Sequence, residues 1–405
     1  MGLVIYRLSI SFYFIAVRIA SIFNPKANLF IEGRKKTFEV LEAQLHDNTD
    51  LVIWIHCASL GEFEQGRPVI EKLKAHYPGH KILLTFFSPS GYEVRKNYEK
   101  ADYIHYLPKD SAKNAEKLIR LTKPVLALFV KYEFWYFYLR ELNRHQIPTL
   151  SISSIFRENQ LFFKKIGRFQ RRGLSYIDHF FVQNETSQNL LHQIKIFQVT
   201  VSGDTRFDRV FETCRKAELI PGIQEFIGTS KVMVIGSCWP EDMAILTPFI
   251  KKNDLKFIIA PHEISESGIM EMAKSIQKPY ALYSQGVEQW LHKEVLIIDN
   301  IGLLSRLYKY GNYAYVGGAF GKGLHNTLEA ATFGLPVFFG NKNYQKFDEA
   351  VQLAEMKAAF PIGSYEELQA KFNSLSDEAG QRARNFVAAN LGATEKIMAF
   401  VKEKL

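Results

Sequence analysis

Glu62 is the residue with the clearest potential for acid–base chemistry. It ends the segment Trp54-Ile-His-Cys-Ala-Ser-Leu-Gly-Glu62, in which a strand-like run passes through small residues into a predicted helix. A lone carboxylate at such a point is able to take a proton from an incoming hydroxyl, as a general base must. Ser59-x-x-Glu62 also matches a capping box, and the helix dipole stabilises a glutamate in a first turn without catalysis. Both interpretations of Glu62 stay open.

Two further loops of the first half carry polar groups directly after apolar runs. Thr85-Phe-Phe-Ser-Pro-Ser-Gly91 offers hydroxyls that suit a phosphate or a sugar, although Ser-Pro-Ser-Gly is also ordinary turn chemistry. Lys131-Tyr-Glu-Phe-Trp135 follows an almost wholly apolar run, so its charges lie at the mouth of a predicted buried strand. Lys131 and Glu133 are therefore candidates for binding, and a solvated ion pair is the alternative.

The second half contains a glycine-rich loop, Gly317-Gly-Ala-Phe-Gly-Lys-Gly-Leu-His-Asn-Thr-Leu-Glu329. It is predicted to deliver His325 and Asn326 to a helix start, where free N–H groups and the dipole favour a phosphate. Glu329 lies one turn further on and is suited to accept hydrogen bonds from a ribose, although Asn326-x-x-Glu329 is also a possible capping box. The glycine spacing matches neither the dinucleotide nor the P-loop pattern, so NAD and P-loop chemistry are not supported.

The elements that must position these loops alternate between strands and helices. Strands are predicted at 51–56, 81–87, 103–107, 125–130, 148–153, 179–183 and 199–202, and again at 232–236, 256–260, 295–299, 313–316 and 336–339. Amphipathic helices lie between them, notably at 301–310 and 325–333, and the segment 203–229 interrupts the rhythm. This α/β pattern predicts two Rossmann-like domains with parallel sheets, whose ligands lie at the carboxyl ends of the strands in the cleft between the domains.

Length and composition agree with a globular chain of two or three domains. The chain has 405 residues, of which 47% are hydrophobic and 23% charged, and this excludes extensive disorder. Cys57, Cys214 and Cys238 lack Cys-x-x-Cys spacing, which argues against a disulfide framework and a zinc site and favours a reducing compartment. The net charge of +9 suits an anionic partner without identifying one.

The N-terminal segment is apolar and basic, with no acidic residue from Met1 to Ile31. Arg7 and Arg18 fall on nearly the same side of a helix, and the longest charge-free run before Arg18, Leu8 to Val17, has ten residues. A bilayer span needs about 20. The pattern therefore favours an amphipathic helix in a membrane interface, assisted by the basic cluster 34–36 on anionic head groups. A secretory signal and an ordinary core helix are the alternatives.

Six ordered segments resemble the 3-deoxy-D-manno-octulosonic acid (Kdo) transferase family. They are Ala58-Ser-Leu-Gly-Glu62, Ser88-Pro-Ser-Gly91, Glu133-Phe-Trp135, Gly203-Asp-Thr-Arg-Phe-Asp208, Val316-Gly-Gly318 and His325-Asn-Thr-Leu-Glu329. The resemblance implies a GT-B glycosyltransferase that moves Kdo from CMP-Kdo onto a lipid A precursor with inversion. It also implies a peripheral or monotopic protein on an anionic membrane surface, at the cytoplasmic face of the inner membrane, with no nucleic acid partner. The alternative is another GT-B transferase that uses a UDP-sugar on a lipid acceptor.

The resemblance also implies roles for individual residues. Glu62 matches the catalytic base, and Arg206 matches a cation that stabilises charge near the donor carboxylate or the departing phosphate. Lys131, the third catalytic candidate, stands where the family commonly has an acid. The acceptor candidates are Ser88, Ser90, Gly91 and Glu133. The donor candidates are Ser237, Pro261, His262, Ile301, Gly302, Leu303, Gly318, His325, Asn326, Thr327, Leu328 and Glu329. No metal or other cofactor is expected, because helix N-termini are predicted to hold the phosphate.

The domain limits expected from the sequence follow these roles. Residues 1–36 form the membrane-interface helix and a basic linker, and residues 37–205 form the acceptor domain. Residues 206–385 form the donor domain for the CMP-sugar, and residues 386–405 form a C-terminal helix.

Overall fold

The computed structural model describes residues 2–405, which divide into two compact units. The first unit comprises the chain up to Arg209 together with Leu391–Leu405, and the second comprises Val210–Asn390. Each unit contains one seven-stranded sheet in which every strand pair is parallel. The prediction of two Rossmann-like α/β domains is therefore confirmed.

The sheet of the first unit has the strand order β3-β2-β1-β4-β5-β6-β7. Its strands are β1 (Leu51–Cys57), β2 (His80–Phe86), β3 (Tyr103–Tyr106), β4 (Pro124–Val130), β5 (Thr149–Ser154), β6 (His179–Val182) and β7 (Val199–Val201). Its helices are α1 (Gly2–Ala20), α2 (Pro25–Lys35), α3 (Thr37–Leu45), α4 (Leu60–His76), α5 (Pro89–Arg95), α6 (Ala112–Thr122), α7 (Tyr136–Arg144), α8 (Arg168–Leu174), α9 (Glu185–Gln193), α10 (Thr205–Arg215), which contains the unit boundary, and the last helix of the chain, α20 (Ala393–Lys402). Short 3-10 turns cover Leu161–Phe163 and Lys165–Gly167.

The sheet of the second unit has the order β10-β11-β9-β8-β12-β13-β14. Its strands are β8 (Val232–Cys238), β9 (Lys256–Pro261), β10 (Tyr280–Leu282), β11 (Val295–Ile297), β12 (Tyr313–Val316), β13 (Val337–Gly340) and β14 (Ala359–Ile362). Its helices are α11 (Ile223–Ile227), α12 (Pro240–Lys252), α13 (Glu266–Ser275), α14 (Val287–Trp290), α15 (Leu304–Leu307), α16 (Leu328–Thr332), α17 (Asp348–Glu355), α18 (Tyr365–Asn373) and α19 (Ala379–Ala389). Short 3-10 turns cover Tyr283–Gln285, Tyr308–Tyr310 and Tyr344–Lys346.

Each sheet has one point where the strand order reverses. In the first sheet β1 lies between β2 and β4, and in the second sheet β8 lies between β9 and β12. At such a switch point the connections leave to opposite faces, and the crevice at the carboxyl ends of the two strands is the usual ligand site of an open α/β sheet. The loops after β1, β4, β8 and β12 are therefore the expected positions of ligand-binding residues.

The central strands carry the cores of both units. β1 and β4 are almost wholly buried, as expected for parallel strands covered on both faces. Trp54 of β1 packs with Phe129 and Tyr138 on one face, at ring distances of 5.2 and 5.6 Å. On the other face Ile53 and Ile55 join a separate buried cluster. This alternation along β1 fixes which of its side chains point to each layer of helices.

The last helix, α20, completes the core of the first unit. Ile397, Met398 and Val401 are buried in the same cluster as Ile53, on the face covered by α4. Asp208 fixes the start of α20, because its carboxylate oxygens accept hydrogen bonds from the backbone N–H groups of residues 392 and 394 at 2.7 and 2.6 Å. The first unit is thus built from both ends of the chain.

Helix α1 presents an apolar face that no other part of the described chain covers. None of its residues is buried, and the side chains that are half-buried recur at Tyr6, Ile10, Phe14 and Val17, at helical spacing. On the opposite face Leu8, Phe12 and Ile19 are 60–74% exposed. The alternative of an ordinary core helix is therefore wrong. By length and composition, α1 is also long and apolar enough to cross a bilayer, although it contains two arginines. The ten-residue charge-free run therefore underestimated the length of the apolar segment.

Tyr6 ties α1 to the N-terminus of α7. Its hydroxyl donates to the Asp110 carboxylate at 2.6 Å and accepts from the backbone N–H of Tyr136 at 3.3 Å. The same carboxylate accepts from the backbone N–H groups of Phe137 and Tyr138, both at 3.2 Å, and so caps α7. Burial raises the pKa of Asp110 to about 6, because its hydrogen bonds offset only part of the desolvation of the charge.

Replacement of Asp110 by Asn is expected to change how stability depends on pH. The unfolded carboxyl titrates near its ordinary pKa of 3.8 and the folded one near a pKa of about 6, so between these values the folded state binds more protons. The contribution of this carboxyl is therefore greatest below about pH 4 and is lost as the pH rises through 6. Urea unfolding from pH 4 to 7 should show the free-energy difference between wild type and Asp110→Asn changing by roughly 2–3 kcal/mol. Parallel profiles for the two proteins would contradict this assignment.

Candidate active site

The loop after β1 places Glu62 in the first turn of α4. Ser59 is the N-cap residue of this helix, but its side chain accepts no hydrogen bond from the helix backbone. Instead its hydroxyl donates to the Oε2 atom of Glu62, whose side chain is half-buried. The reciprocal capping box that the sequence allowed is therefore not formed. The contact orients a carboxylate at the switch point of the first sheet.

A second carboxylate, that of Glu133, lies near the same strand end. Burial raises the pKa of the Cys57 thiol at the end of β1 well above its ordinary value, and the negative charges of Glu62 and Glu133 raise it further. These influences require both carboxylates to lie within electrostatic range of Cys57. Glu62 and Glu133, which are 71 residues apart in the sequence, therefore both lie near the end of β1.

Glu133 is held by a polar network that the sequence did not reveal. The Trp135 indole N–H donates to Glu133 Oε2 at 2.8 Å, and the same oxygen lies 3.3 Å from His56 Nε2. His56 is fully buried on β1, with its Nδ1 atom 2.9 Å from the hydroxyl of Thr85. The period of two along β1 puts His56 on the side of Trp54, but no local pattern pairs it with Glu133.

Lys131 and the Ser88 loop occupy the neighbouring strand ends. Lys131 leaves β4 in the left-handed region at φ 64°, and its N–H donates to the Ile152 carbonyl at 2.9 Å. Ser88 precedes α5, and its backbone N–H donates to the Ala58 carbonyl at 2.7 Å, which joins this loop to the loop that carries Glu62. The hydroxyls of Ser88 and Ser90 lie 2.7 Å apart, and the N–H of Gly91 donates to the Ser88 carbonyl at 3.2 Å.

Arg206 is linked to α4 through a buried carboxylate. Asp204 accepts hydrogen bonds from the Arg206 backbone N–H at 2.9 Å and from its Nε–H at 2.8 Å. The side-chain amide of Gln65 donates to both oxygens of the same carboxylate, at 3.1 and 3.2 Å. Since Gln65 lies one turn after Glu62 on α4, the candidate base and the candidate cation belong to one connected network.

The switch point of the second sheet gathers three rings at the ends of β8, β9 and β12. The Trp239 indole stacks on His262 at 4.2 Å, and His262 lies 4.5 Å from His325. The indole N–H donates to His325 Nε2 at 3.1 Å, and burial together with the neighbouring His262 lowers the pKa of His325. Because Nε2 accepts a hydrogen bond, the proton of the neutral ring lies on Nδ1 and is available to a ligand. Trp239 was not among the residues chosen from the sequence.

Asp242 fixes the backbone next to these rings. Its carboxylate is fully buried and accepts hydrogen bonds from the Trp239 N–H at 2.9 Å, the Tyr315 hydroxyl at 2.7 Å and the Gly318 N–H at 3.1 Å. A Cβ atom at residue 317 would lie 2.6 Å from this carboxylate, which explains a glycine at that position. Burial raises the pKa of Asp242. One carboxylate therefore joins β8, β12 and the glycine-rich loop.

The structure corrects two predicted helix starts in this unit. The helix expected from residue 325 begins at Leu328, whose N–H donates to the side-chain Oδ1 atom of Asn326 at 3.1 Å. The Asn326 side-chain N–H group donates to Glu329 Oε1 at 3.1 Å, so both side chains are oriented. The hydroxyl of Thr327 is buried and has no hydrogen-bond partner among the residues described.

The helix expected from residue 301 also begins later, at Leu304. Gly302 has φ 95°, a left-handed conformation that ends the preceding loop and is incompatible with an α-helical residue. Ile301 is 91% exposed, and Leu303 is the N-cap residue. The other donor candidates, Ser237 and Pro261, lie at the ends of β8 and β9. Ser237 and Pro261 thus belong to strand ends that precede Trp239 and His262, whereas residues 301–303 lie in a loop after β11.

The fold is shared with several solved structures at low sequence identity. A UDP-GlcNAc 2-epimerase from Neisseria meningitidis aligns with a TM-score of 0.62 at 18% identity, over 87% of this chain and all of that chain. MurG from Acinetobacter baumannii aligns with a TM-score of 0.55 at 11% identity, over 87% of this chain and 99% of that chain. At these identities the likeness concerns the fold alone. Two Rossmann-like domains of this type define the GT-B class, and the chain has this fold.

Sequence relatives with this fold are found among the Kdo transferases. Residues 18–209 match the model of the 3-deoxy-D-manno-octulosonic-acid transferase (kdotransferase) family. A 3-deoxy-D-manno-octulosonic acid transferase from Aquifex aeolicus is 27% identical over 80% of this chain and 85% of its own length, and one from Chlamydia pneumoniae is 27% identical over 71% and 69%. The chain therefore resembles the Kdo transferases over most of its length, as the six segments indicated, and these matches support a Kdo transferase. It is a glycosyltransferase of lipopolysaccharide biosynthesis.

Proposed function

We propose that the chain transfers Kdo from CMP-Kdo to a lipid A precursor, with inversion at the anomeric carbon. The observation that carries this proposal is the oriented carboxylate of Glu62 at the switch point of the first sheet. In an inverting transfer a base must take the proton of the acceptor hydroxyl as the oxygen attacks. Glu62 supplies that base, and the hydroxyl of Ser59 keeps one of its oxygens in a fixed direction.

The first unit handles the acceptor in this proposal. The hydroxyls of Ser88 and Ser90, in the loop that continues to Gly91, offer hydrogen bonds to the acceptor sugar, and Glu133 accepts one from its hydroxyls. Arg206 and Lys131 stabilise the negative charge that moves onto the leaving phosphate or stays on the donor carboxylate. The Asp204 contacts support this role for Arg206, because they restrict the guanidinium of a long side chain.

The second unit binds the CMP moiety in this proposal. The Nδ1–H of His325 and the backbone N–H groups of the glycine-rich loop donate to the phosphate, and the stacked Trp239–His262 pair offers an apolar surface. Asn326 and Glu329 bind ribose hydroxyls, an assignment supported by the hydrogen bond that orients both side chains. Thr327, with its buried unpaired hydroxyl, contributes a further donor.

In this proposal the enzyme lies at the cytoplasmic face of the inner membrane, and the outer face of α1, which carries Leu8, Phe12 and Ile19, supports attachment to a lipid surface. Exposed side chains such as Leu8 and Phe12 enter the interface, while the basic cluster 34–36 contacts anionic head groups. A lipid acceptor is then reached without leaving the bilayer. The protein is monotopic or peripheral in this arrangement.

A transfer assay with defined donors tests the proposal. Purified protein incubated with CMP-Kdo and lipid A precursor in mixed micelles is expected to add mass to the lipid in whole Kdo increments and to release an equal amount of CMP. The same assay with UDP-sugars is the control and should yield no product. Transfer from a UDP-sugar with none from CMP-Kdo would instead establish the alternative donor class.

A further inference from the structure

A cavity of about 310 Å³ lies between α1 and α2 in the first unit. Its lining residues are Ser11, Phe14, Ile15, Arg18, Ile31, Arg34, Lys35 and Lys109. Four of these eight side chains are cationic and none is acidic. Three others are apolar, so the cavity combines an apolar wall with a cationic rim. This combination suits an anionic group attached to a hydrocarbon chain.

The four cations differ in how they are engaged. The guanidinium of Arg34 donates to the backbone carbonyls of Phe30, Leu107 and Phe87 and lies 3.6 Å from the Phe30 ring. Burial lowers the pKa of Arg34 to about 10, so the group stays charged at neutral pH. With three of its five N–H donors used by backbone carbonyls, Arg34 contributes charge to the cavity more than hydrogen bonds.

The other three cations form the accessible rim. Lys109 donates to the Ser11 hydroxyl at 2.9 Å and retains two further N–H donors. Lys35 pairs at the surface with Glu32 at 2.7 Å, a contact that water screens. The guanidinium of Arg18 makes no hydrogen bond or ion pair within residues 2–405, and its side chain lines the cavity. The rim therefore offers donors that the protein itself leaves largely unused.

The cavity adjoins the loops proposed for the acceptor. Arg34 binds the carbonyl of Phe87, and Ser88 is the next residue. The Phe87 ring stacks on Tyr13 of α1 at 6.0 Å and packs on Trp135 at 4.7 Å, and Trp135 donates to Glu133. A lipid head group held at this rim would thus lie next to the acceptor loops, with the exposed apolar face of α1 beside it.

We propose that this cavity binds a phosphate ester of the lipid acceptor, with Arg18, Lys35 and Lys109 as its donors and an acyl chain along Phe14 and Ile15. The proposal rests on the proposed function, because it assigns the phosphate to the lipid that receives the sugar. It makes these three cations determinants of acceptor specificity rather than of the transfer step. The apolar wall distinguishes this ligand from free phosphate and from a nucleotide.

A double-mutant design tests the site directly. Arg18→Gln, Lys109→Gln and the double variant are assayed with saturating CMP-Kdo, using lipid A precursor and its enzymatically dephosphorylated form in neutral detergent micelles. Each single variant should raise the acceptor KM about tenfold for the phosphorylated lipid and leave kcat within about twofold, as expected for lost charge-assisted hydrogen bonds. The double variant should no longer distinguish the two lipids. Lys26→Gln, which removes an exposed charge of α2 outside the cavity, is the matched control and should not raise KM.

Binding of the same two lipids to the protein without donor keeps the site testable apart from transfer. Phosphate-dependent binding that the double variant loses would support the site even if wild type transferred no Kdo, and the proposed function alone would then fail. Equal losses for both lipids, an effect of Lys26→Gln as large as that of Arg18→Gln, or competition by phosphatidylglycerol at equal concentration would each overturn the proposal. Arg18→Lys and Lys109→Arg keep the positive charge and should have an acceptor KM close to that of wild type. This result would show that the Gln variants act through loss of charge and not through a folding defect.

Discussion

Glu62→Gln is expected to abolish Kdo transfer while CMP-Kdo still binds. Gln keeps the size of the side chain and a carbonyl oxygen that accepts from the Ser59 hydroxyl, but it cannot take a proton from the acceptor. Removal of a general base typically costs 10²- to 10⁴-fold in rate, about 3–5 kcal/mol of transition-state stabilisation. The loss should fall on kcat, with the KM values of donor and acceptor little changed.

The chain offers a matched control for this variant on the same helix. Glu64 of α4 is also half-buried, but its carboxylate pairs with Arg95 at 2.8 Å and lies 3.6 Å from Arg209. Glu64→Gln removes an equal charge near the same strand end and should retain nearly full kcat. Full turnover by Glu62→Gln, or an equal loss in Glu64→Gln, would refute the assignment of the base.

Conversion of the outer face of α1 to polar residues is expected to release the protein from membranes. Leu8, Phe12 and Ile19 are exposed by 64, 74 and 60% and contact no core, so Leu8→Gln, Phe12→Gln and Ile19→Gln together should leave the fold intact. Burial of such a side chain in an apolar phase contributes about 1.5–3 kcal/mol. The triple variant should therefore bind anionic vesicles at least about 10³-fold more weakly in a sedimentation assay.

Leu219→Gln is the control for the membrane experiment. Leu219 is 67% exposed in the second unit, so its replacement changes surface polarity to a similar degree per residue and should leave vesicle binding unaltered. Unchanged binding of the triple variant would move the anchor elsewhere. The next segment to test would then be 161–169, where Ile166 is 81% exposed among basic residues.

The sheets could be predicted from sequence because their central strands are buried on both faces. Continuous apolar runs such as Pro124–Val130 mark a strand without any knowledge of its neighbours. β10 and β14, which the prediction missed, are edge strands of three and four residues with half-buried side chains. Their pairing depends on β11 and β13, and a short run offers too little periodicity to reveal it.

The site was predictable only where its chemistry is local. The Glu62 segment and the glycine-rich loop carry their residues within a few positions of one another. His56 and Glu133 are 77 residues apart, and Tyr6 and Asp110 are 104 apart, so no spacing rule connects them. The late helix starts at Leu304 and Leu328 depend on one positive φ and one side-chain hydrogen bond, which amphipathic periodicity does not report.

Because α20 packs into the first unit, the order in which the two units complete their folding during translation differs from their order in the sequence. Ile397, Met398 and Val401 emerge from the ribosome after the whole second unit, yet the hydrophobic interior they complete belongs to the unit that was translated first. The second unit, whose residues are continuous, is able to fold while the nascent chain is still attached. The first unit must instead wait until residues 391–405 have been made, with part of its apolar surface uncovered. A premature stop after residue 390 would therefore damage the half that carries Glu62 and spare the half that follows it.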